Sequence, residues 1–381
     1  MNEIVYLDNA ATTKLSKAAQ EAVQPYLSGA YGNPSSVYSL GREAKKAVEN
    51  ARSRVAQAIG ALPHEIYFTG SGTESDNWAV KSVAELKKGL GRHIISSQIE
   101  HPAILNTLRH LEKNGYDVTY LKVNQYGQIS LDELRSAIRN DTVLITIMTA
   151  NNEIGTILPV SEIGKIAQEN GVLFHTDAVQ AVGHIPVNVK EMNVDIMSFS
   201  GHKFGGTKGV GVLYAKKELK LPPFLHGGGQ ENDRRSGTEN VAGIVALAAA
   251  LEEALLNLPL LKVSQMRDRL IVELLKIPRS RLTGDPLNRL PGIASFIFEC
   301  IEGEAMLLLL DQCGICASSG SACSSGSLDP SHVLLATGLS HEIAHGSLRL
   351  SLSGENTDDD IDYVLEKLPG IVARLRAMSP L

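Results

Sequence analysis

The sequence predicts an α/β fold in which a mostly parallel sheet forms a large domain and a smaller α+β domain follows it. Short apolar runs alternate with helical patterns through the first two thirds of the chain. This alternation is typical of crossover units that cover both faces of a parallel sheet. Five of the apolar runs also lead directly into polar or glycine-containing turns. Ligands of open α/β sheets bind outside the carboxyl ends of the strands, so we expect a site where these five turns meet.

The predicted strands of this sheet are apolar runs that are short for helices. They cover Glu65–Thr69, His93–Ser97, Val118–Lys122, Val143–Met148, Val172–Thr176, Asp195–Ser200 and Gly211–Tyr214. Helical patterns lie between several of them, at Ser75–Leu86, Pro102–Leu111, Leu131–Ile138 and Val160–Asn170. A long apolar helix predicted at Val241–Leu256 completes the series.

A domain boundary is predicted at Leu258-Pro259, directly after the long apolar helix. The rest of the chain mixes helical patterns with strand patterns at Ile293–Phe298 and Ser347–Leu352, which is typical of an α+β domain. We therefore expect residues 13–256 to form the large domain. Residues 1–12 and 257–381 are expected to form the small domain, which carries a mobile loop around Cys323.

Composition and charge exclude several classes of protein. The 381 residues are 43% hydrophobic and 20% charged, with a mean hydropathy of -0.02, which is ordinary for a globular protein. A net charge of -6 argues against a nucleic-acid partner held by bulk electrostatics. The N-terminus lacks the pattern of a signal peptide, and no uninterrupted apolar run is long enough to span a bilayer. We expect a soluble, cytoplasmic protein without a membrane partner.

The four cysteines lie close together in the last third of the chain, at positions 300, 313, 316 and 323. A disulfide framework would be spread more widely, so reduced thiols are expected. Cys313 and Cys316 have the two-residue gap of many zinc sites, which leaves a metal site as an alternative. No second pair follows, so we expect no resident metal and interpret Cys300, Cys313 and Cys316 as small core residues.

The run Asp195–Lys203 is the most informative motif, because an apolar strand ends there in Ser200, His202 and Lys203. A lysine in a sheltered site can act as a nucleophilic amine and form a Schiff base with a carbonyl. The usual carbonyl cofactor is pyridoxal phosphate, whose ring nitrogen needs an anionic partner. Asp177 ends a second apolar run and could supply that carboxylate. The two runs together predict a pyridoxal-phosphate site.

Two further turns offer groups suited to such a cofactor. Gly70–Glu74 precedes a helical pattern, and its glycines, amides and the Thr73 hydroxyl could cradle a phosphate. The alternative is an ordinary helix cap by Ser71 or Thr73. His101 could stack on a flat ring and exchange protons near neutral pH, or it could be structural.

Residues 317–327 are nearly all Ser, Gly or Ala, with Cys323 among them. Such a stretch buries little apolar area, and a thiol on it would be a good carrier. Arg349 lies in a strand-like run, where it could bind a substrate α-carboxylate in bidentate fashion if it faces inward, or be solvated if it faces outward.

Taken together, the motifs resemble those of the pyridoxal-phosphate-dependent cysteine desulfurases, which belong to the class V aminotransferase group and have the fold-type I architecture. The matching motifs occur in family order over essentially the whole chain. They are Tyr6–Thr13, Gly32–Ser36, Glu100–Pro102, Asn151–Glu153, His175–Gln180, Ser200–Lys203, Arg235–Thr238 and Ser321–Cys323.

The resemblance implies roles for individual residues around the cofactor. Lys203 would hold the cofactor, Asp177 would pair with its ring nitrogen, and His101 would stack on the ring and assist proton transfer. Gln180 would bind the phenolic oxygen, with Asn152 nearby. The residues implied for the phosphate are Gly72, Thr73, Ser200, His202 and, from the neighbouring subunit of a homodimer, Thr238.

The resemblance also implies the substrate and the reaction. Asn33 and Arg349 would take the carboxylate of L-cysteine. Cys323 would attack the substrate sulfur as a thiolate, which leaves a persulfide on the enzyme and alanine as the other product, with His101 as a possible proton acceptor. The sulfur would pass to an iron–sulfur scaffold or another acceptor protein, and Cys323 could ligate a transferred cluster.

Within the family, the long Cys323 loop resembles the group that contains the nitrogen-fixation and iron–sulfur-cluster enzymes, and residues 317–334 resemble the nitrogen-fixation (NifS) type more closely. The chain stops soon after a helix predicted at Asp358–Met378, whereas the housekeeping type usually has a longer tail that docks a scaffold protein, so the housekeeping type is less expected. Phe204–Lys208 departs from the family pattern, which affects only the local loop geometry. A selenocysteine lyase, another class V enzyme and a non-catalytic sulfur carrier are the alternatives. A thiol centred in a Ser/Gly-rich loop favours the desulfurase, since transamination needs no such group.

Overall fold

The computed structural model of the chain describes residues 4–319 and 330–378. These residues form twelve strands and thirteen helices. The strands are β1 (Val5–Tyr6), β2 (Ile66–Thr69), β3 (His93–Ser97), β4 (Asp117–Leu121), β5 (Thr142–Thr146), β6 (Leu173–Asp177), β7 (Ile196–Ser200), β8 (Gly211–Ala215), β9 (Ser280–Leu282), β10 (Ile293–Phe298), β11 (Ile315–Cys316) and β12 (Ser347–Ser351).

The helices include several of four or five residues and several longer than fifteen. They are α1 (Lys17–Ser28), α2 (Ser39–Ala58), α3 (Gly72–Lys87), α4 (Pro102–Glu112), α5 (Leu131–Ala137), α6 (Val160–Glu169), α7 (Gln230–Asp233), α8 (Val241–Leu256), α9 (Leu261–Leu274), α10 (Gly303–Gln312), α11 (His332–Ala336), α12 (His341–Ala344) and α13 (Asp358–Met378).

The main sheet has seven strands in the order β2-β8-β7-β6-β5-β3-β4. Strand β8 is antiparallel to both of its neighbours, and the other pairs are parallel. Six strands therefore run in one direction, which confirms the predicted mostly parallel sheet and α/β fold. The carboxyl ends of β2, β3, β5, β6 and β7 lie at the same edge.

The predicted elements match the observed ones closely where the chain is most apolar. His93–Ser97, Val241–Leu256 and Ile293–Phe298 have the predicted bounds. The strand predicted to reach Met148 ends at Thr146 instead. The reason is local: the Met148 amide donates to the carboxylate of Glu100 at 3.0 and 3.1 Å.

Four longer helices were not predicted: α1, α2, α9 and α10. In α2 the core-facing positions include Ala44, Val48, Ala51 and Val55, at helical spacing. Alanine gives a weak apolar signal beside the many charged residues of this segment, so the stripe is easily missed.

Apolar side chains pack on both faces of the main sheet, and a separate core lies against a three-stranded sheet of order β12-β10-β9. This second core contains Val5 and Leu7 together with side chains from α9, α10 and α13. The N-terminal strand joins it because β1 pairs with β11 and Asp8 bridges to Ser351. The segment that follows β1 thereby lies at the edge of the main sheet, where Ala10 contacts Lys203.

No single helix among the described residues has both the length and the apolar composition needed to cross a bilayer; α8 and α9 meet that criterion only as a pair, which is bent by 74°.

Candidate active site

Lys203 lies at the end of a short 3-10 turn that follows β7. Its Nζ donates to the carbonyl oxygens of Ala10 and Ala11 at 2.7 and 2.8 Å. Burial raises the pKa of Asp177 and the positive charge of Lys203 opposes that rise, whereas burial lowers the pKa of His101 and the same charge lowers it further. The amine, the carboxylate and the imidazole are therefore within electrostatic reach of one another, as expected from their positions at the strand ends.

Asp177 is the last residue of β6 and is only 5% exposed. Burial raises the pKa of its carboxyl to about 6, against the opposing effects of a hydrogen bond from the Val179 amide and of the Lys203 charge. The Val179 amide donates to Asp177 Oδ1 at 2.9 Å. A cationic partner would stabilise this carboxylate, because a buried charge is stable only when it is paired.

A layer of buried polar side chains lies behind Asp177. His175 Nδ1 is 2.9 Å from Thr146 Oγ1, and its Nε2 is 3.0 Å from Ser198 Oγ. Burial lowers the pKa of His175 to about 3, so this ring is neutral at pH 7. Asp76 Oδ1 lies 3.8 Å from His175 Nε2, and burial followed by the charge of Asp177 raises the pKa of Asp76. Of two neighbouring buried carboxyls, the one without a nearby cation takes the neutral form more readily, and here that one is Asp76.

His101 caps the N-terminus of α4. Its Nδ1 accepts a hydrogen bond from the Ala103 amide at 3.1 Å, which assigns the ring proton of the neutral form to Nε2. Burial, and then the charge of Lys203, lower the pKa of His101 to about 4. At pH 7 the ring is therefore neutral, with a proton available for donation from Nε2.

The N-terminus of α3 begins at Gly72, directly after β2. Ser71 caps it by accepting from the Glu74 amide at 3.1 Å, as the alternative of a Ser71 helix cap expects, and Thr73 is exposed in the first turn. A Cβ on Gly72 would come within 2.8 Å of Val179 Cγ2, so only glycine allows this close approach. First-turn amides have no acceptor within their own helix, and they suit a phosphate.

Two side chains predicted to bind the phosphate lie around Lys203. Ser200 is buried, and its hydroxyl is 3.4 Å from the Val210 carbonyl oxygen. His202 Nδ1 is 3.2 Å from Thr12 Oγ1. Burial, and then the charges of Lys203 and Lys208, lower the pKa of His202 to about 4. His202 would thus contribute a neutral ring.

Gln180 and Asn152 are both buried near the strand ends. Gln180 Nε2 donates to the Ala10 carbonyl oxygen at 2.9 Å, the same oxygen that accepts from Lys203. The backbone oxygen of Asn152 accepts from Arg349 Nη1 at 2.8 Å. The structure thus brings Gln180 to Lys203, and Asn152 to Arg349.

Arg349 is 2% exposed in the middle of β12, so it faces inward and the solvated alternative is excluded. Its Nη2 lies 2.9 Å from Asp8 Oδ1, and its Nε has no hydrogen-bond partner among the described residues. This guanidinium can accept a further anion.

The remaining predicted residues lie elsewhere. Asn33 is in the exposed loop between α1 and α2, where its Oδ1 accepts from the Ser35 amide at 2.9 Å. Thr238 is exposed between α7 and α8. Cys323 lies outside the described residues.

Sequence reasoning missed several buried acids near the site. Asp76, discussed above, comes from α3. Burial raises the pKa of Glu100 to about 8 and that of Glu153 to about 7. Glu153 is hydrogen-bonded by the hydroxyl of Ser331, a residue that precedes α11. Glu100 and Glu153 could have been found from the sequence, because they directly adjoin His101 and Asn152 in the motifs Glu100–Pro102 and Asn151–Glu153.

Within residues 4–319 and 330–378, no group of three or more His, Cys, Asp or Glu side chains is arranged to hold a metal ion. Cys300, Cys313 and Cys316 are free thiols and are partly buried. Cys313 packs against the second core, whereas Cys300 lies in a turn after β10 with a φ of 62°.

Comparison with known proteins gives similarities over most or all of the chain. The family described as aminotransferase class-V matches residues 5–364. A protein of Methanosarcina thermophila named cysteine desulfurase IscS is 56% identical over 100% of this chain and 95% of its own length. A solved structure named NifS-like protein has a TM-score of 0.93 at 39% identity, covering 98% of this chain and 100% of its own. The structure of SspA in complex with cysteine has a TM-score of 0.81 at 37% identity and covers 91% of this chain and 98% of its own.

Proposed function

The chain belongs to the aminotransferase class-V family, and on that premise we propose that it is a cysteine desulfurase that depends on pyridoxal phosphate. It converts L-cysteine to L-alanine and transfers the sulfur to a cysteine of the enzyme. The observation that carries this proposal is the meeting of Lys203, Asp177 and His101 at one edge of the main sheet, where the charge of Lys203 acts on both other groups.

The residues at this edge fit the cofactor. Asp177 is a buried carboxylate that a cationic ring nitrogen would pair with, and the first turn of α3 offers amides at Gly72, whose lack of a side chain allows its close approach to Val179. Bound there, the cofactor would supply an electron sink that weakens the bonds at Cα and Cβ of the substrate amino acid. We assign the phosphate to Gly72, Thr73, Ser200 and His202, and the ring nitrogen to Asp177.

Lys203 is the amine that holds the cofactor when no substrate is present. Its two carbonyl acceptors, Ala10 and Ala11, orient Nζ without neutralising it. With substrate in the site, Lys203 would move a proton at Nζ.

His101 acts through Nε2, the ring nitrogen that is not bound to the Ala103 amide. Because Nδ1 accepts from that amide, the neutral ring is a donor at Nε2 in the resting enzyme. His101 therefore suits proton donation and ring stacking first. It could accept a proton at Nε2 only after giving one away.

Arg349 binds the α-carboxylate of L-cysteine. The guanidinium is held in the site by Asp8 and the Asn152 carbonyl, and Nε remains available. Asn33 would reach the same carboxylate from the exposed loop before α2. Gln180, which shares the Ala10 oxygen with Lys203, would bind the phenolic oxygen of the cofactor, with Asn152 nearby.

Cys323 is proposed as the sulfur acceptor. Its thiolate forms a bond to the substrate sulfur while the Cβ–S bond breaks, and the electron pair stays with the carbon skeleton, which takes up a proton to become alanine. The flanking residues support this role. Ser318 pairs with Arg349 through two backbone bonds of 3.2 and 2.6 Å, and Ser331 bonds to Glu153 beside Asn152.

We further propose a homodimer, in which the exposed Thr238 reaches the phosphate in the partner subunit. The division into a large domain (13–256) and a small domain (1–12 and 257–381) is supported by the separate core that Val5 and Leu7 share with the C-terminal helices. The enzyme would act in the cytoplasm and supply sulfur for iron–sulfur clusters through a scaffold or another acceptor protein.

The function is tested with purified protein, L-cysteine and a thiol reductant that releases the persulfide sulfur as sulfide. We expect alanine and sulfide in equal amounts. Cys323→Ala should keep the visible absorption of the bound cofactor and lose both products, whereas Cys300→Ala should behave as the wild type. Unchanged turnover in Cys323→Ala would refute the role of Cys323 as the sulfur acceptor. A colourless, inactive wild type would refute the proposed desulfurase activity.

A further inference from the structure

Glu74 and Arg235 form an ion pair beside the proposed phosphate site. Arg235 Nε lies 2.7 Å from Glu74 Oε1, and Arg235 Nη2 lies 3.2 Å from Glu74 Oε2. The side chains are only 21% and 18% exposed, so water screens the pair incompletely. The two residues are 161 positions apart, and the pair joins the segment before Thr238 to the first turn of α3.

Glu74 also shapes the loop that leads into this helix. Its Oε2 accepts from the Gly70 amide at 2.8 Å, and its own amide donates to Ser71 Oγ at 3.1 Å. A Cβ on Gly70 would come within 2.7 Å of Glu74 Oε2, so the carboxylate lies tightly over the loop. The carboxylate thus fixes the backbone whose amides would face a phosphate.

This placement carries an electrostatic cost. Glu74 is the third residue of α3, so its negative charge lies at the helix N-terminus that attracts the phosphate dianion. Two anions at one helix N-terminus repel each other unless a cation compensates. The guanidinium of Arg235 is bound to both carboxylate oxygens and provides that compensation.

We propose that Arg235 is a positioning residue of the cofactor site, which neutralises Glu74 so that this carboxylate can order the phosphate loop without repelling the phosphate. The proposal deepens the proposed function, since it takes the phosphate of pyridoxal phosphate to bind at α3. Arg235 does not contact the phosphate; it acts through Glu74.

The test measures dissociation constants of the apoenzyme for pyridoxal phosphate and for pyridoxal, which lacks the phosphate, by absorption titration. In Arg235→Met, the dissociation constant for pyridoxal phosphate should rise by about 10-fold to 100-fold, because an uncompensated carboxylate remains at the helix N-terminus. The constant for pyridoxal should stay within about twofold of the wild type. Arg235→Lys, which keeps the charge, should retain most of the affinity.

Removing the carboxylate charge should reverse the loss. Glu74→Gln still offers an oxygen to the Gly70 amide, so this variant should bind pyridoxal phosphate nearly as well as the wild type. The double variant Glu74→Gln/Arg235→Met should recover most of the affinity that Arg235→Met loses. Arg54→Met, which breaks a comparable ion pair with Glu252 between α2 and α8, should leave both constants unchanged.

Two results would overturn the proposal: equal losses for pyridoxal phosphate and pyridoxal in Arg235→Met, or a double variant that binds as weakly as Arg235→Met. Either would show that the pair has only a structural role. The proposed function is decided separately, by the formation of alanine from L-cysteine in the wild type.

Discussion

Arg349 Nη2 lies 2.9 Å from Asp8 Oδ1, which joins β12 to the segment that follows β1. The same N-terminal segment supplies the carbonyl oxygens of Ala10 and Ala11 to Lys203. One short stretch of chain, residues 8–11, therefore orients both the guanidinium proposed for the substrate carboxylate and the amine proposed for the cofactor. The pairing of β1 with β11 brings this stretch into position.

Replacement of Arg349 by lysine is expected to weaken substrate binding. Lysine keeps the charge and loses the planar fork that binds a carboxylate through two parallel hydrogen bonds. The KM for L-cysteine should rise by about 10-fold to 100-fold, with the cofactor absorption unchanged. Arg281→Lys on β9 of the same three-stranded sheet is the matched control and should keep the wild-type KM. A wild-type KM in Arg349→Lys would show that Arg349 does not bind the substrate carboxylate.

Replacement of Asp177 by asparagine is expected to reduce kcat by about 100-fold to 1000-fold, because a neutral amide cannot stabilise a protonated ring nitrogen. The buried setting makes the charge more effective than it would be in water. Steady-state kinetics with saturating cofactor measure the effect. Asp195→Asn changes an aspartate that pairs with Lys216 at the start of β7 and should retain the wild-type kcat. Similar kcat values in the two variants would contradict the role of Asp177.

Much of the fold follows from the sequence because most strands of the main sheet, other than the edge strand β4, are buried on both faces. β3 and β5 are buried at every position, and such strands are continuous apolar or small-residue runs bounded by polar turns. The same property limits the prediction for β12. All five of its residues are buried, so alternation could not decide whether Arg349 faces inward.

The site was predictable only in part, and sequence distance explains the difference. Lys203 and Asp177 end apolar strands, so their polarity is conspicuous locally. The partners that orient them are remote in sequence: Ala10 binds Lys203 across 193 positions, and Asp8 binds Arg349 across 341. Asp76 lies within α3, a helical segment whose other polar residues give no cue to its burial.

The pH dependence of turnover should not come from His101. Its pKa of about 4 keeps the ring neutral from mildly acid to alkaline pH. His101→Asn retains an oxygen that can cap α4 and should lower kcat, with the same shape of kcat/KM against pH between about pH 6 and pH 9. The pH profiles of both enzymes give the comparison. Loss of an acid limb near neutral pH in the variant would show that His101 titrates there after all.

Glu100 should make the apoenzyme less stable as the pH rises. Burial raises the folded-state pKa of Glu100 to about 8 from an ordinary value of 4.5, so the folded protein holds a proton that the unfolded chain has released. A raised pKa contributes stability that is complete below the unfolded value and is lost as the pH rises toward the folded value. Between about pH 6.5 and pH 8 this loss is on the order of 2 kcal/mol.

Glu100→Gln removes this titration and keeps an oxygen for the Ser97 hydroxyl and the Met148 amide, which bind Glu100 in the wild type. The free energy of unfolding of the variant apoenzyme, measured by denaturant titration, should therefore fall less between pH 6.5 and pH 8 than that of the wild type. Glu153 has a raised pKa of about 7 and contributes equally to both proteins, so it cancels in the difference. Parallel pH dependences in the two proteins would mean that Glu100 is already ionised in the folded state, held by the two hydrogen bonds that favour its charged form.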